Sequence, residues 1–451
     1  MEEQERQRFL SSKNQKYYLD YEDDELKGFR ACLNWACVDH SDPLKTSLSW
    51  SVFFLFCIGV PILAHFALAC PSTCDEDHRQ PFDSIVELSL SSISVLSYLC
   101  LTKFRRKYGL RKFLFLDKLC EESDKVRQGY TIQLQKSIRL LGMFVVPCFV
   151  ADTAYKIWWY VTGGTQIPHW GNVVVSHTIA CFLEQCSWLY RASIFFLFCV
   201  IYRMSCYLQI LRLEDFAQVF QLETDVASVL MEHLRIRKTL RIISHRFRAF
   251  ILFTLLIVTA SQLASLLVTT KSTSDVDIYT AGELALCSVT LVTGLCICLR
   301  SAAKITHRAQ ALTSLASKWH VCATIDSFDG TDGETPILQV ASPRVFPIDG
   351  SCESDDEEAD EEDEIDNTKM VPTFVNTISY QKRQALVTYL ENNRAGITVF
   401  GFMLDRTYLH TIFGVELSLV LWLLSKTEIL RYAMEEDSEE EMSYSPVDPS
   451  D

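Results

Sequence analysis

The sequence predicts an all-α integral membrane protein with seven transmembrane helices, its N-terminus cytoplasmic and its C-terminus extracellular. Three observations carry this expectation. Seven apolar stretches of 20 to 30 residues occupy more than a third of the 451 residues, and about 20 apolar helical residues cross about 30 Å of hydrocarbon. The connections between them alternate in Lys and Arg content. The N-terminus opens with Glu2, Glu3, Glu5 and Arg6 and has no early apolar region, so no cleavable signal is expected and the first span is expected to direct insertion.

The spans, in order, are Ser47 to Cys70, Phe82 to Thr102, Ser137 to Val161, Val173 to Tyr202, Ala249 to Val268, Ile278 to Leu299 and Ile397 to Ser425. Their orientation follows from the charges between them, because Lys and Arg near spans stay cytoplasmic. Lys103 to Lys136 carries ten, Arg203 to Arg248 eight and Arg300 to Gly396 nine; the alternate connections carry only Arg79, none, and only Lys271. The helical spacing of Phe, Leu and Val over Leu110 to Lys118 and Phe216 to Leu240 suggests that the fourth and fifth helices continue into the cytoplasm.

The remaining organisation is a cytoplasmic arm over 1–46, spans one to six over 47–326, an acidic insertion over 327–369, a cytoplasmic helix within 370–396, the last span over 397–425 and an acidic extracellular tail over 426–451. The formal charge of -15 resides in two short runs: Glu353 to Asp366 holds 11 Asp and Glu, and Glu435 to Asp451 holds 8. The rest of the chain is mildly basic. The insertion, rich in Gly, Pro, Asp and Glu, reads as a disordered spacer. Ser351 and Ser354 beside its acid run suit acidophilic phosphorylation. Helical periodicity resumes at Ile378 to Leu390, and Asn392, Asn393 and Gly396 mark a break before the last span.

A sequence pI near 5.2 and the lack of a basic cluster interleaved with aromatics exclude a nucleic-acid surface. Most of the 17 cysteines lie in apolar runs, where they read as small packing residues. No CxxC pair, HExxH, phosphate loop or GxSxG elbow is present. No enzyme activity, cofactor or metal site is therefore expected.

Ionisable residues within spans are costly, so each is a functional candidate. Glu87, Asp152, Lys156, His177, Glu184 and Glu283 fall in the outer half or near the midplane. Asp152 and Lys156, four apart, share a helical face and suit mutual neutralisation; Arg191 is placed to reach Glu184 or to serve the same interior network. The set reads either as internal pairs or as an outward-opening ligand pocket, walled by Tyr155, Trp158, Trp159, Trp188 and Tyr279. Four acids against one Lys favour a cationic or hydroxyl-rich ligand.

The last span is the least uniform. Asp405 and Arg406 split it; Asp405, Ile412 and Glu416 share one face, and Thr411, Gly414, Ser418, Trp422 and Ser425 form a second, small and polar stripe. Such a helix is either buried in the bundle or lines an aqueous path, as in pores with one carboxylate per subunit. Spacing leaves open which face would meet a pore.

The seven spans, the long inner connections and the run Gly401, Phe402, Met403, Leu404, Asp405, Arg406 up to Gly414 resemble the plant gustatory-receptor-like proteins, a seven-span family defined by a domain of unknown function. The resemblance covers roughly Leu26 to Lys426. That family is similar in fold to the insect gustatory and odorant receptors, and the resemblance implies four subunits forming a ligand-gated cation channel. It also implies a pore lined by the last helix and a pocket opening outward among spans two, three, four and six. Ser418 and Leu419 stand where the insect motif has Thr-Tyr, Ser425 where it has Gln, and Glu416 is an added charge.

The expected protein is thus a homotetrameric channel subunit in the lipid bilayer, with an unidentified small-molecule ligand. Pore positions are Thr411, Glu416, Ser418, Trp422 and Ser425; pocket positions are Glu87, Asp152, Tyr155, Lys156, Trp159, His177, Glu184 and Glu283. A proton-coupled secondary transporter and a non-conducting receptor or scaffold are the rival readings. The plasma membrane is the default location, with vacuolar and endoplasmic reticulum membranes also open.

Overall fold

The computed structural model describes residues 43–67, 83–113, 124–163, 168, 172–222, 226–271, 278–329, 380–422 and 425. Most of the N-terminal arm, the acidic insertion with Ser351 and Ser354, the acidic tail and the side chain of Tyr279 lie outside the described residues. The elements are α1 (Pro43–Phe54), a π-helical turn (Leu55–Gly59), α2 (Val60–Ala67), α3 (Asp83–Phe113), α4 (Asp124–Gly163), α5 (Val173–Leu222), α6 (Val226–Lys271), α7 (Ile278–Asp329), α8 (Tyr380–Asn392), β1 (Thr398–Val399), β2 (Phe402–Met403) and α9, 406–422.

Six of the described helices are long and apolar enough to cross a membrane: Leu44–Phe66, Asp83–Lys107, Gly129–Gly163, Val173–Ala217, Val226–Val268 and Glu283–Val321. The protein is an integral membrane protein. The expectation of one continuous seventh helix over Ile397 to Ser425 needs correction. Residues 398–403 instead form an antiparallel hairpin with Thr398 opposite Met403 and Val399 opposite Phe402. Its two turn residues, Phe400 and Gly401, have φ of 50° and 95°, a region that a helix never uses and that Gly401 enters without steric cost. The helix starts only at 406, where the Arg406 amide donates to Asp405 Oδ1 at 2.7 Å. Asp405, expected within the span, is therefore its N-cap.

The hairpin is pinned to the bundle by its own backbone. The Ile397 amide donates to Thr306 Oγ1 on α7 at 3.1 Å and the Thr398 amide to Ser244 Oγ on α6 at 3.1 Å. The break expected at Asn392, Asn393 and Gly396 is present, since α8 stops at Asn392.

Helices α5, α6 and α7 hold 50, 46 and 52 residues. At about 1.5 Å per residue each is roughly 70 Å or longer, more than twice a bilayer core. All three therefore run well beyond the hydrocarbon, α7 as well as the two anticipated. α5 is the central helix: 83% of its most apolar window is buried, against 17% for α4. α4 turns Met143, Val146, Val150, Ile157 and Val161 outward at helical spacing, each more than half exposed, which is the face lipid would wet.

Pro61 explains the π-turn of the first span. Lacking an N–H, it cannot accept the helical role its position demands, and the Val60 amide turns to Leu55 O instead. Phe56 O is left for a donor from another helix, and Ser187 Oγ of α5 supplies it at 2.6 Å. Ser187→Ala is expected to destabilise the protein by about 1–3 kcal/mol, the cost of an unmet buried carbonyl. Thermal unfolding in detergent checks this, with Ser187→Thr retaining stability.

Candidate functional site

The ionisable residues expected in the outer half of the spans do converge. α3, α4, α5 and α7 bring together Glu87, Asp152, Lys156, Glu184, Arg191 and Glu283, and the charges meet each other. Lys156 Nζ lies 3.2 Å from Glu184 Oε2 and 3.1 Å from Glu283 Oε1. Arg191 grips both carboxylate oxygens of Glu87, with Nη2 to Oε1 at 3.0 Å, and donates to Ser91 Oγ at 3.1 Å. One expected pairing is therefore replaced, and one of two options is taken. Lys156 reaches across to α5 and α7 rather than to Asp152 one turn away, and Arg191 pairs with Glu87 rather than Glu184. The reason is geometric: a helix projects a long side chain into the neighbouring groove, where carboxylates of other helices lie closer than a short Asp on its own.

Asp152 is 2% exposed and accepts from Gln185 Nε2 at 2.8 Å, while Thr153 Oγ1 donates to Gln185 Oε1 at 2.9 Å. Tyr160 donates its hydroxyl to Glu184 Oε1 at 2.8 Å. Ser91, Thr153, Tyr160 and Gln185 were missed from the sequence, although Ser91 lies four residues after Glu87 on the same helical face. His177 is buried beside Tyr160, ring centroids 5.4 Å apart.

Two of the five expected wall aromatics are packing residues. Trp159 stacks edge-on with Tyr160 and Trp188 packs with Leu90 and Ala192, both tryptophans buried. Tyr155 and Trp158 are only partly buried and sit 6.1 Å apart on α4. The arrangement is a cross-linked polar core in low dielectric, where each carboxylate except Asp152 faces a cation.

α9 divides into two faces. Glu416 is 2% exposed and accepts from Thr259 Oγ1 of α6 at 2.6 Å. Ser418, two residues and about 200° further round, is exposed, as are Thr411, Gly414 and Ser425; Trp422 is half-buried. Spacing left both faces open, and in the single chain Glu416 turns toward α6 while the small polar stripe turns away from the bundle.

With this architecture, the family defined as "Protein of unknown function (DUF3537)" matches residues 24–415. The chain belongs to this family. Membership covers all six long helices and the hairpin, and ends one residue before Glu416. No curated protein matches the sequence. Among solved structures, the insect olfactory receptor OR5 from Machilis hrabei in complex with eugenol has 13% identity and a TM-score of 0.50, over 86% of this chain and 91% of that one. A second structure of the same receptor gives 12%, 0.42, 85% and 90%. At such identity the likeness is one of fold alone: this family member folds like that insect olfactory receptor.

Proposed function

We propose that the protein is the subunit of a homotetrameric, ligand-gated cation channel of chemoreceptor type, with its N-terminus cytoplasmic and α9 as the seventh, pore-side helix. The observation that carries this reading is the exposed polar stripe of α9. Thr411, Ser418 and Ser425 donate to their own helix, at Thr407 O (2.9 Å), Gly414 O (2.6 Å) and Trp422 O (2.9 Å). Their oxygens keep lone pairs for water or a cation, a use that lipid does not offer. Four such stripes around one axis form a hydroxyl-lined path. Glu416, tied to Thr259, anchors the helix to α6 and shapes the field from behind the wall.

The ligand site of this reading is the cluster of Glu87, Asp152, Tyr155, Lys156, Trp159, His177, Glu184 and Glu283. The likeness to a receptor solved with eugenol supports a small molecule with a hydroxyl. Such a group competes with Tyr160 for Glu184 or with Gln185 for Asp152, and so shifts α4 against α5. The channel reading is tested by imaging the protein in lipid nanodiscs and by recording currents from Ser418→Cys. A fourfold particle and a current blocked by a polar thiol reagent that spares wild type are expected. A monomeric particle, or currents indifferent to the reagent, overturns it.

A further inference from the structure

A cavity of about 1060 Å³ lies between α4, α5, α7 and α9, away from the polar cluster. Its lining is sorted along the bundle axis. Gln133, Arg203, Arg300, Lys304, Arg406 and His410 gather at one end, and no lining residue is a carboxylate. Towards the other end stand Met143, Phe144, Val289, Phe413 and Leu417. Four of these five are partly open to the outside, Met143 to 64%, Phe413 to 40%, and Val289 and Leu417 to 37% each. The cavity thus opens to the outside of the chain through its apolar part.

The sorting recurs on α4, α7 and α9, whereas on α5 Arg203 is followed by Cys206, Tyr207 and Ile210. Along α7, Val289 to Lys304 is fifteen residues, about 22 Å at 1.5 Å per residue, from apolar to cationic. Along α9 the order reverses with the chain direction, Arg406 first and Leu417 later. The cationic end is the end that bears the Lys- and Arg-rich connections. Arg203 Nε is buried with no hydrogen-bond partner among the described residues, which leaves a donor for an occupant of the cavity to meet.

We infer that this cavity binds one anionic phospholipid of the cytoplasmic leaflet, its phosphate between Arg203, Arg300, Lys304 and Arg406 and its acyl chains along Met143, Phe144 and Phe413. Charge selects the headgroup, since basic pockets between helices on that side concentrate acidic lipids. Length selects a lipid over a soluble anion, because the cationic end continues into an apolar wall about as long as half a bilayer. Arg406 and His410 begin α9, so the bound headgroup sets the angle at which that helix leaves the hairpin.

The test is native mass spectrometry of the full-length protein from nanodiscs of phosphatidylcholine mixed with phosphatidylserine or a phosphoinositide. Wild type is expected to retain the acidic lipid. Arg300→Gln with Lys304→Gln is expected to weaken retention by roughly 25-fold, about fivefold per removed cation. Phe144→Ala, which leaves the charges in place, is expected to weaken acidic lipid without changing uptake of soluble inositol phosphate. Retention unchanged in the double variant, acidic lipid displaced equally well by soluble inositol phosphate, or loss of subunit association with lipid retained each overturns the inference. The last outcome would make the cavity a subunit contact. None of these readouts depends on conduction, so a silent channel leaves the lipid result standing on its own.

Discussion

Lys156→Met is expected to leave little folded protein. The substitution keeps the apolar stem but removes the cation that holds Glu184 at 3.2 Å and Glu283 at 3.1 Å, each of these carboxylates at most 13% exposed. Two buried acids then face one another without a counter-charge, and breaking a buried pair from one side costs about 3–5 kcal/mol. The three residues come from α4, α5 and α7, so the loss acts on helix association rather than on any one helix. Fluorescence-detected size exclusion and a thermal melt in detergent read the effect. Lys156→Met with both Glu184→Gln and Glu283→Gln is expected to recover much of it, because neutral amides can bond to each other and to Tyr160. A single variant that melts like wild type would show that the cluster is solvated and not part of the bundle's framework.

The second large effect concerns close packing. A Cβ on Gly294 of α7 would sit 2.2 Å from Cε1 and 2.3 Å from Cζ of Phe195 on α5. Phe195 is 0% exposed, so its ring can give way only by displacing the side chains packed around it. α7 and α5 touch here because a glycine lets the two helices approach, the usual role of small residues between membrane helices. Gly294→Ala is expected to destabilise by about 1–3 kcal/mol and Gly294→Val by more, as overpacked sites do. Phe195→Leu combined with Gly294→Ala should return part of the stability. Equal melting of Gly294→Ala and wild type would mean that α5 and α7 are farther apart than described.

Membrane character was legible in the residues because it depends on length and composition. Twenty apolar residues in a row bury themselves in hydrocarbon whatever their neighbours are. The break at Asn392 to Gly396 was legible for the same local reason. The hairpin at 398–403 was not. Its residues are apolar enough to continue a span, and only the anchoring amides to Thr306 and Ser244, on helices 91 and 154 residues away, make the extended form the better one.

The polar cluster divides along the same line. That Glu87, Asp152, Lys156, Glu184 and Glu283 belong together follows from the cost of leaving any of them in lipid, and their chain positions already place them near one depth. Their pairing does not follow. Which carboxylate Lys156 meets depends on how α4, α5 and α7 are rotated about their axes, and a rotation of one residue, about 100°, would exchange partners. Glu416 shows the same limit, since periodicity separates it from Ser418 but cannot say which side α6 occupies. Composition and helical period are properties of a single segment and were fixed before folding. Partners, faces and close approaches are properties of pairs of segments, and arise only when α5 is surrounded by its neighbours.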